Sequence, residues 1–295
     1  MFYVKYKKYT LAIIFASSLL ALETNALAEE GNKNYVSAGN VSVSWAFNHF
    51  LGNYPKGGRL TDLTFRFTVN NETLHAKGAY FAQQFFFDNS GNEGNSAYTG
   101  LQPQPDKDGK QYLGAVFSTF IAKSKSTDKN CSDGADGGAG VSCGVVFPAT
   151  YMHTYKILVH KDLNHTWSGE VEDEQSGQKT HIGSWTLPDH TGDIKPSGTG
   201  FGEYYAYYKP GYPQFVVPSC DKLAKISVIY GPVSTTNYGG GVGSIYNPHE
   251  YNSKECKSES SNYSAKSIST KIKPSGGKEL TVNGQEIKRG WISEI

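Results

Sequence analysis

The stretch "YKILVHKDLNHTWSGEVEDEQSGQKTHIGSWTLP", residues 155–188, decides the fold class. Three short runs rich in β-branched and aromatic residues alternate here with turn residues: 155–162, 165–173 and 181–188. In the second run and at the residue just after it, Glu170, Glu172 and Glu174 occupy every second position. A strand turns alternate side chains to the same face, so this spacing predicts a strand whose three carboxylates point one way.

The same pattern continues through most of the chain. Further short apolar or aromatic runs lie between loops such as "NSGNEGNS" and "SDGADGGAG": 41–47, 60–69, 79–87, 97–102, 112–122, 204–209 and 225–231. No segment has the apolar spacing of an amphipathic helix. About ten short strands with glycine-rich turns predict an all-β protein, an antiparallel β-sandwich or jelly-roll.

The last part of the chain has a different composition. "STTNYGGGVGS" and "KSESSNYSAKS" are polar and glycine-rich, which is typical of a linker or an irregular excursion. Near the end, Asn283-Gly284 lies between alternating runs, and this dipeptide predicts a two-residue hairpin turn. We therefore predict a β-sandwich domain over 29–232, followed by an irregular region over 233–295 that ends in a β-hairpin.

The first 28 residues have the three parts of a secretory signal peptide. Lys5, Lys7 and Lys8 precede the apolar run "LAIIFASSLLAL", and "ALA" at 26–28 is a small-x-small cleavage site. The apolar run is short for a membrane span, and no second run is long enough. We expect export by this peptide, to an extracellular or periplasmic location.

Net charge limits the classes of partner that are expected, and the cysteine count indicates the redox state. The formal net charge of +1 favours neither nucleic acid nor an anionic membrane, and it leaves the oligomeric state open. Four cysteines in an exported chain predict two disulfides. Of the three possible pairings we favour Cys131–Cys143 and Cys220–Cys256. A zinc site is disfavoured because no C-x-x-C spacing is present.

Residues in the middle of the chain resemble a known family. "YFAQQFFF" (80–87), "AYTGLQPQPDKDGKQYLGAVFS" (97–118) and the later "TWSGEVEDEQSGQKTHIGSW" are similar to motifs of secreted bacterial proteins that carry domain of unknown function 3472. The resemblance covers roughly residues 40–232. It implies a lectin-like, concanavalin-like β-sandwich, sometimes found beside carbohydrate-active modules. It implies no established activity and no catalytic residue.

These observations favour non-catalytic binding of a glycan or polysaccharide. Tyrosine and tryptophan rings stack on the C–H faces of sugars, and amides hydrogen-bond to their hydroxyls. The predicted ligand-binding residues are Gln83, Gln84, Tyr98, Gln102, Trp167, Tyr205 and Tyr207. Gln83 and Gln84 point to opposite faces of their strand, so the inward-facing amide needs a partner or lines a polar pocket.

Two rival functions remain open. A glycosidase or lyase would use Glu170 with Glu172 or Glu174 as acid and base, which requires a raised pKa on one carboxyl. Strand residues four apart are separated by about 13 Å, so a polar hairpin face is the more ordinary interpretation of these glutamates. A protein-binding or host-interaction role would instead require a flat, exposed apolar patch and no cleft.

A calcium ion is the one cofactor that the sequence suggests. Asp88, Asp106 and Asp108 lie in loops that also contain asparagine, serine and glycine. Calcium takes oxygen ligands from such loops. Turn formation explains the same residues equally well, and neither loop completes the EF-hand pattern. No other cofactor is predicted.

Overall fold

The computed structural model describes residues 40–89, 91, 94–205, 225–251, 263–272 and 279–289. This part of the chain is almost entirely antiparallel β-structure, which confirms the predicted all-β class. The strands are β1 Asn40–Phe50, β2 Asp62–Val69, β3 Ala79–Phe86, β4 Ser96–Lys107, β5 Lys110–Thr119, β6 Cys131–Ala135, β7 Gly138–Ala149, β8 Thr154–Lys161, β9 Thr166–Asp173, β10 Lys179–Thr186, β11 Ser197–Tyr204, β12 Ile226–Thr235, β13 Gly241–Tyr251, β14 Ser264–Ile272 and β15 Leu280–Arg289.

The strands form one continuous sheet that folds over on itself. Its order is β10-β9-β8-β2-β12-β13-β1-β11-β3-β4-β5-β7-β6, and β15 pairs with both β12 and β14. We call β10, β9, β8, β2 and β12 the first layer, and β13, β1, β11, β3, β4, β5, β7 and β6 the second layer. The inner faces of the two layers pack together as a sandwich.

The core between the layers is built from aromatic rings. Trp45 of β1 meets Phe65 of β2 with ring centroids 5.4 Å apart, and Phe117 of β5 stacks on Trp185 of β10 at 4.5 Å. All four rings are fully buried. On β9, Gly169 makes room for Phe117, because a Cβ added there would lie 2.7 Å from that ring. Period-two alternation on both layers thus produces a single apolar core.

A disulfide joins the last two strands at the β6 end of the sheet. Cys131 and Cys143 are directly paired residues of β6 and β7 and form the bridge predicted from the sequence. The bridge packs against Gly183 of β10, where an added Cβ would lie 2.6 Å from Cys131 Sγ. The second predicted pair, Cys220 and Cys256, lies outside the described residues.

The sheet continues across the domain boundary predicted at residue 232. That position falls inside β12, and β13 lies between β12 and β1 in the sheet. Glycine in this segment permits close strand contact, because a Cβ at Gly243 would lie 2.3 Å from the carbonyl oxygen of Ala46. Gly241 and Gly243, two of the glycines that suggested a linker, therefore belong to an internal strand.

The turn predicted at Asn283-Gly284 is wrong, although the described chain does end in an antiparallel strand pair. Both residues lie inside β15, where Asn283 pairs with Ser269 and Gly284 pairs with Ile268 of β14. A Cβ at Gly284 would lie 2.6 Å from the carbonyl oxygen of Tyr230 on β12. Packing against a neighbouring strand, not turn formation, therefore accounts for this glycine.

Candidate functional site

The three glutamates of β9 and its turn lie on the outer face of the first layer. Each is paired with a cation from a neighbouring strand or turn. Glu170 lies 2.8 Å from Lys179, Glu172 lies 2.7 Å from Lys156, and Glu174 lies 3.1 Å from Arg66. This surface, which we call the charged face, is a ladder of cross-strand ion pairs.

The electrostatic surroundings of Glu172 do not suit a general acid. A hydrogen bond from Lys156, together with the positive charges of Lys156 and Lys179, lowers the pKa of Glu172 despite some desolvation. The lowered pKa of Glu172 is opposite to the raised pKa that the glycosidase hypothesis requires of one carboxyl. The arrangement is that of a solvated strand face.

The outer face of the second layer is different in kind. Tyr80, Ala82, Tyr98, Val116 and Phe201 form a second buried cluster there, separate from the core. They lie on β3, β4, β5 and β11. Residues next to them in these strands, such as Phe81 and Phe117, point inward to the main core. Side chains on an outer sheet face usually meet water, so this burial marks the face as a candidate site.

One row of side chains crosses seven neighbouring strands of this face, and every member has a hydroxyl or an amide. Direct strand pairing brings the members side by side. We call them the polar row: Tyr246, Ser44, Thr199, Gln84, Tyr98, Ser118 and Ser142. Thr199 Oγ1 donates to Gln84 Oε1 at 3.3 Å, and the Ser118 and Ser142 hydroxyls lie 2.8 Å apart.

Exposure falls along the polar row from one end to the other. Tyr246 on β13 is 46% exposed, and Ser44 and Thr199 are half-buried. Gln84 is 4% exposed and Tyr98 is 2% exposed. The row is therefore open at β13, and its members are buried from Gln84 on β3 onward.

A second row contains a buried carboxylate. Glu203 of β11 pairs with Tyr80 of β3, and Gln102 of β4 follows on the next strand. Glu203 is 3% exposed and Gln102 is 5% exposed. The amide nitrogen of Gln102 has no hydrogen-bond partner within the described structure. A buried amide donor of this kind is costly unless a ligand or water satisfies it.

The β6–β7 turn brings a second carboxylate to this face. The Tyr98 hydroxyl donates to Asp136, with its two carboxylate oxygens at 3.4 and 3.5 Å. Burial, together with the negative charge of Asp136, raises the pKa of Tyr98 well above its ordinary value. Burial and the neighbouring Tyr98, Asp136 and Glu203 do the same for the pKa of Tyr80. Two tyrosines and two carboxylates therefore interact here.

The predicted ligand-binding residues divide between the outer face of the second layer and the core. Gln84, Tyr98 and Gln102 lie on the outer face, and Tyr205 packs against the buried cluster there. Gln83 and Trp167 lie in the core, and neither amide atom of Gln83 has a hydrogen-bond partner within the described structure. Tyr207 lies outside the described residues.

The side chains of this face that were not predicted from the sequence include Glu203, Tyr246, Asp136 and Tyr80. Glu203 was missed because the strand was predicted over 204–209, whereas β11 is Ser197–Tyr204. Tyr246 was missed because its strand was taken as a linker, and Asp136 and Tyr80 because nothing local links them to Tyr98. The alternation of Phe201 and Glu203 in "GTGFGEY" was the available signal for β11.

The aspartates considered for calcium make other contacts or lie in turns. Asp88 pairs with Arg59 at 2.7 Å, and Asp106 pairs with His75 at 2.9 Å. Asp108 lies in the β4–β5 turn with a positive φ of 52°. Within the described ranges, no three His, Cys, Asp or Glu side chains are grouped to hold a metal ion.

Comparisons with known proteins give distant structural matches. No family model and no curated protein matches the chain. SCP-B, a member of the eqolisin family of peptidases solved with the tripeptide Ala-Ile-His, matches with a TM-score of 0.40 at 10% identity, over 87% of this chain and all of that one. Scytalido-glutamic peptidase with a peptide-based transition state analog matches with a TM-score of 0.41 at 10% identity over the same shares.

A lectin is also among the matches. Lectin II from Ulex europaeus matches with a TM-score of 0.31 at 9% identity, over 57% of this chain and 75% of that one. TM-scores of this size carry no assignment of function. No helix with the length and apolar character of a membrane span occurs in the described part of the chain.

Proposed function

We propose that this chain is an exported protein that binds a carbohydrate on the outer face of its second layer. The polar row is the observation that carries the proposal. Sugars present hydroxyl groups on both edges of a ring with an apolar face, and they are held by side chains that combine amides, hydroxyls and aromatic rings. The accessible members Tyr246, Ser44 and Thr199 offer a ring and hydroxyls on successive strands, and the amide of Gln84 lies next in the row.

The charge pattern of the two outer faces supports the same choice. The charged face has its cations and carboxylates satisfied by each other. The open part of the polar row, from Tyr246 through Ser44 to Thr199, has no charged member. A neutral, hydroxyl-rich ligand matches this surface without leaving a charge unpaired.

A glycan-array screen of the oxidised mature protein tests the proposal. We expect a specific hit that is lost in Thr199→Val, which removes one hydroxyl of the row and keeps the side-chain shape. Thr166→Val is the matched control, because the Thr166 hydroxyl pairs with Thr186 on β10 at 2.7 Å, away from this face. The control retains the hit. A blank array, or equal loss in both variants, contradicts the proposal.

Hydrolysis of a polymer bound to the same face is the second candidate. The observation that favours it is the burial of Glu203 among Tyr80, Tyr98 and Asp136. A carboxyl group in such surroundings is a candidate general acid or base. This hypothesis moves the acid–base role from the β9 glutamates to the second layer.

The two candidates are separated by a product assay. The protein is incubated from acidic to neutral pH with the array hits and with a denatured protein, and new reducing ends or amino groups are counted. Catalysis predicts turnover that Glu203→Gln abolishes and Glu172→Gln retains, with folding checked by circular dichroism. Binding without turnover leaves only the first proposal.

A further inference from the structure

We infer that the site binds the end of a polysaccharide chain, not an internal stretch, and that Tyr246 is its outer stacking residue. The inference rests on the proposed carbohydrate function and deepens it. Its basis is the direction of the polar row, which is open at β13 and walled at β4.

The open end presents an aromatic ring to solvent. Tyr246 is directly paired with Ser44. The next pair along these two strands, Trp45 and Ile245, points inward to the core, so Tyr246 and Ser44 point outward. The Tyr246 ring therefore lies on the outer face, 46% exposed. Two strand spacings separate Tyr246 from Thr199, the last half-buried member before the buried Gln84, a distance of about 10 Å. This length accommodates a short run of linked sugar units with Tyr246 beneath the outermost one.

The other end is closed by a wall of packed side chains, which consists of Tyr98, Phe120 and Asp136. Tyr98 is 2% exposed and follows Gln84 in the row. Phe120 packs on its ring with centroids 5.1 Å apart, and Asp136 accepts a hydrogen bond from its hydroxyl. A polymer lying along the row cannot continue past this wall without displacing it.

The wall is held by the fold of the β6–β7 hairpin. Asp136 and Gly137 form its turn with φ angles of 51° and 78°, and such left-handed backbone suits aspartate and glycine. The Cys131–Cys143 bridge ties the two strands together at the base of the hairpin. The tip that carries Asp136 is therefore positioned by covalent and turn geometry, independently of a ligand.

Competition with intact and shortened polymers tests the inference. Soluble xylan, mannan, laminarin and hydroxyethyl cellulose are compared before and after partial acid hydrolysis, at equal mass. For the polymer that binds, a chain-end site predicts that the mass needed for half-inhibition falls by the same factor as the number of chain ends rises. Binding with an unchanged or larger required mass overturns the inference while leaving the proposed function intact.

Two variants locate the effect in the structure. Tyr246→Ala is expected to weaken binding about three- to tenfold, whereas Tyr246→Phe, which keeps the ring, retains it. Asp136→Gly keeps the turn conformation and removes the contact with Tyr98, so the preference for hydrolysed polymer should shrink towards none. If Asp136→Gly keeps the full preference for hydrolysed polymer, these side chains do not form the closed end of the site. If no polymer binds in either form, the proposed function fails, and the inference with it.

Discussion

The two outer faces of the folded sheet obey the same alternation rule and have opposite characters. On the first layer, Lys156, Glu172 and Lys179 form partly exposed cross-strand ion pairs. On the second layer, the outward-facing positions of the polar row have neutral hydroxyls and amides, and these side chains become more buried from Tyr246 to Tyr98. The same strand periodicity therefore produces a solvated surface in one layer and a candidate ligand site in the other.

The difference shows what burial adds to a polar residue. Glutamates that face water with cations beside them need nothing further, and exposed pairs contribute little to stability. Amides and tyrosines that are buried on an outer face must be satisfied by neighbours or by a ligand. Burial of polar groups, more than the presence of carboxylates, therefore distinguishes the site from the surface.

The largest expected effect comes from the core that supports the polar row. Trp45→Ala removes a fully buried ring and the hydrogen bond that its Nε1 donates to the Gln84 carbonyl oxygen at 3.1 Å. We expect the free energy of unfolding to fall by about 3–5 kcal/mol in chemical denaturation. Leu163→Ala, at a side chain 84% exposed, is the control and should change it by less than about 0.5 kcal/mol. Similar losses in both variants would contradict the assigned core.

The next effect concerns alkaline pH and separates the two faces. Because the folded pKa values of Tyr80 and Tyr98 are raised, the unfolded chain loses protons first as the pH passes about 10. Stability that is present below the unfolded pKa should therefore decline above it. Unfolding measured from pH 8 to 11 should show a smaller decline in the Tyr80→Phe/Tyr98→Phe double variant than in the parent. Equal declines would place these hydroxyls in solvent.

A gain in stability is expected at Gln83. Its amide is fully buried in the core, and neither of its polar atoms has a hydrogen-bond partner within the described structure. Gln83→Met replaces it with an apolar side chain of similar length and should raise the free energy of unfolding by about 1 kcal/mol. Gln84→Met, on the outer face, is the comparison and should not stabilise. A loss at Gln83 would indicate a buried water that satisfies the amide.

The smallest effect belongs to the charged face. The pair of Lys156 and Glu172 should contribute on the order of 0.5 kcal/mol in a double-mutant cycle with Lys156→Met and Glu172→Gln at low salt. Because the folded pKa of Glu172 is lowered, this contribution is present above the unfolded value of about 4.3 and is lost as the pH falls through the folded pKa. A coupling that persists at high salt would mean that this face is less solvated than described.

Local sequence signals were sufficient for the fold class and for part of the site. Alternating apolar residues and glycine-rich turns predicted an all-β chain, and the spacing of Cys131 and Cys143 predicted their bridge. Gln84, Tyr98 and Gln102 were predicted as binding residues and lie on the outer face of the second layer. Whether they bind a ligand stays a prediction until it is measured.

The errors have a common physical origin. Gly243 and Gly284 were interpreted as linker and turn residues, but both permit close contact between strands that are distant in the chain. Glycine has the same local signature in both situations, so the sequence alone does not distinguish them. Gln83 and Gln84 are likewise the same residue type at neighbouring positions. Gln83 points to the opposite layer and Gln84 points to the outer face, which only the packing of the layers decides.

The sequence by itself determined that this chain forms short antiparallel strands, because periodicity and turn chemistry are properties of neighbouring residues. Only the tertiary structure decided which outer face becomes the candidate site. Tyr246, Ser44, Thr199 and Gln84 lie far apart in the chain, and strand order alone brings them into one row. Strand order follows from how the whole core packs, which no local segment specifies.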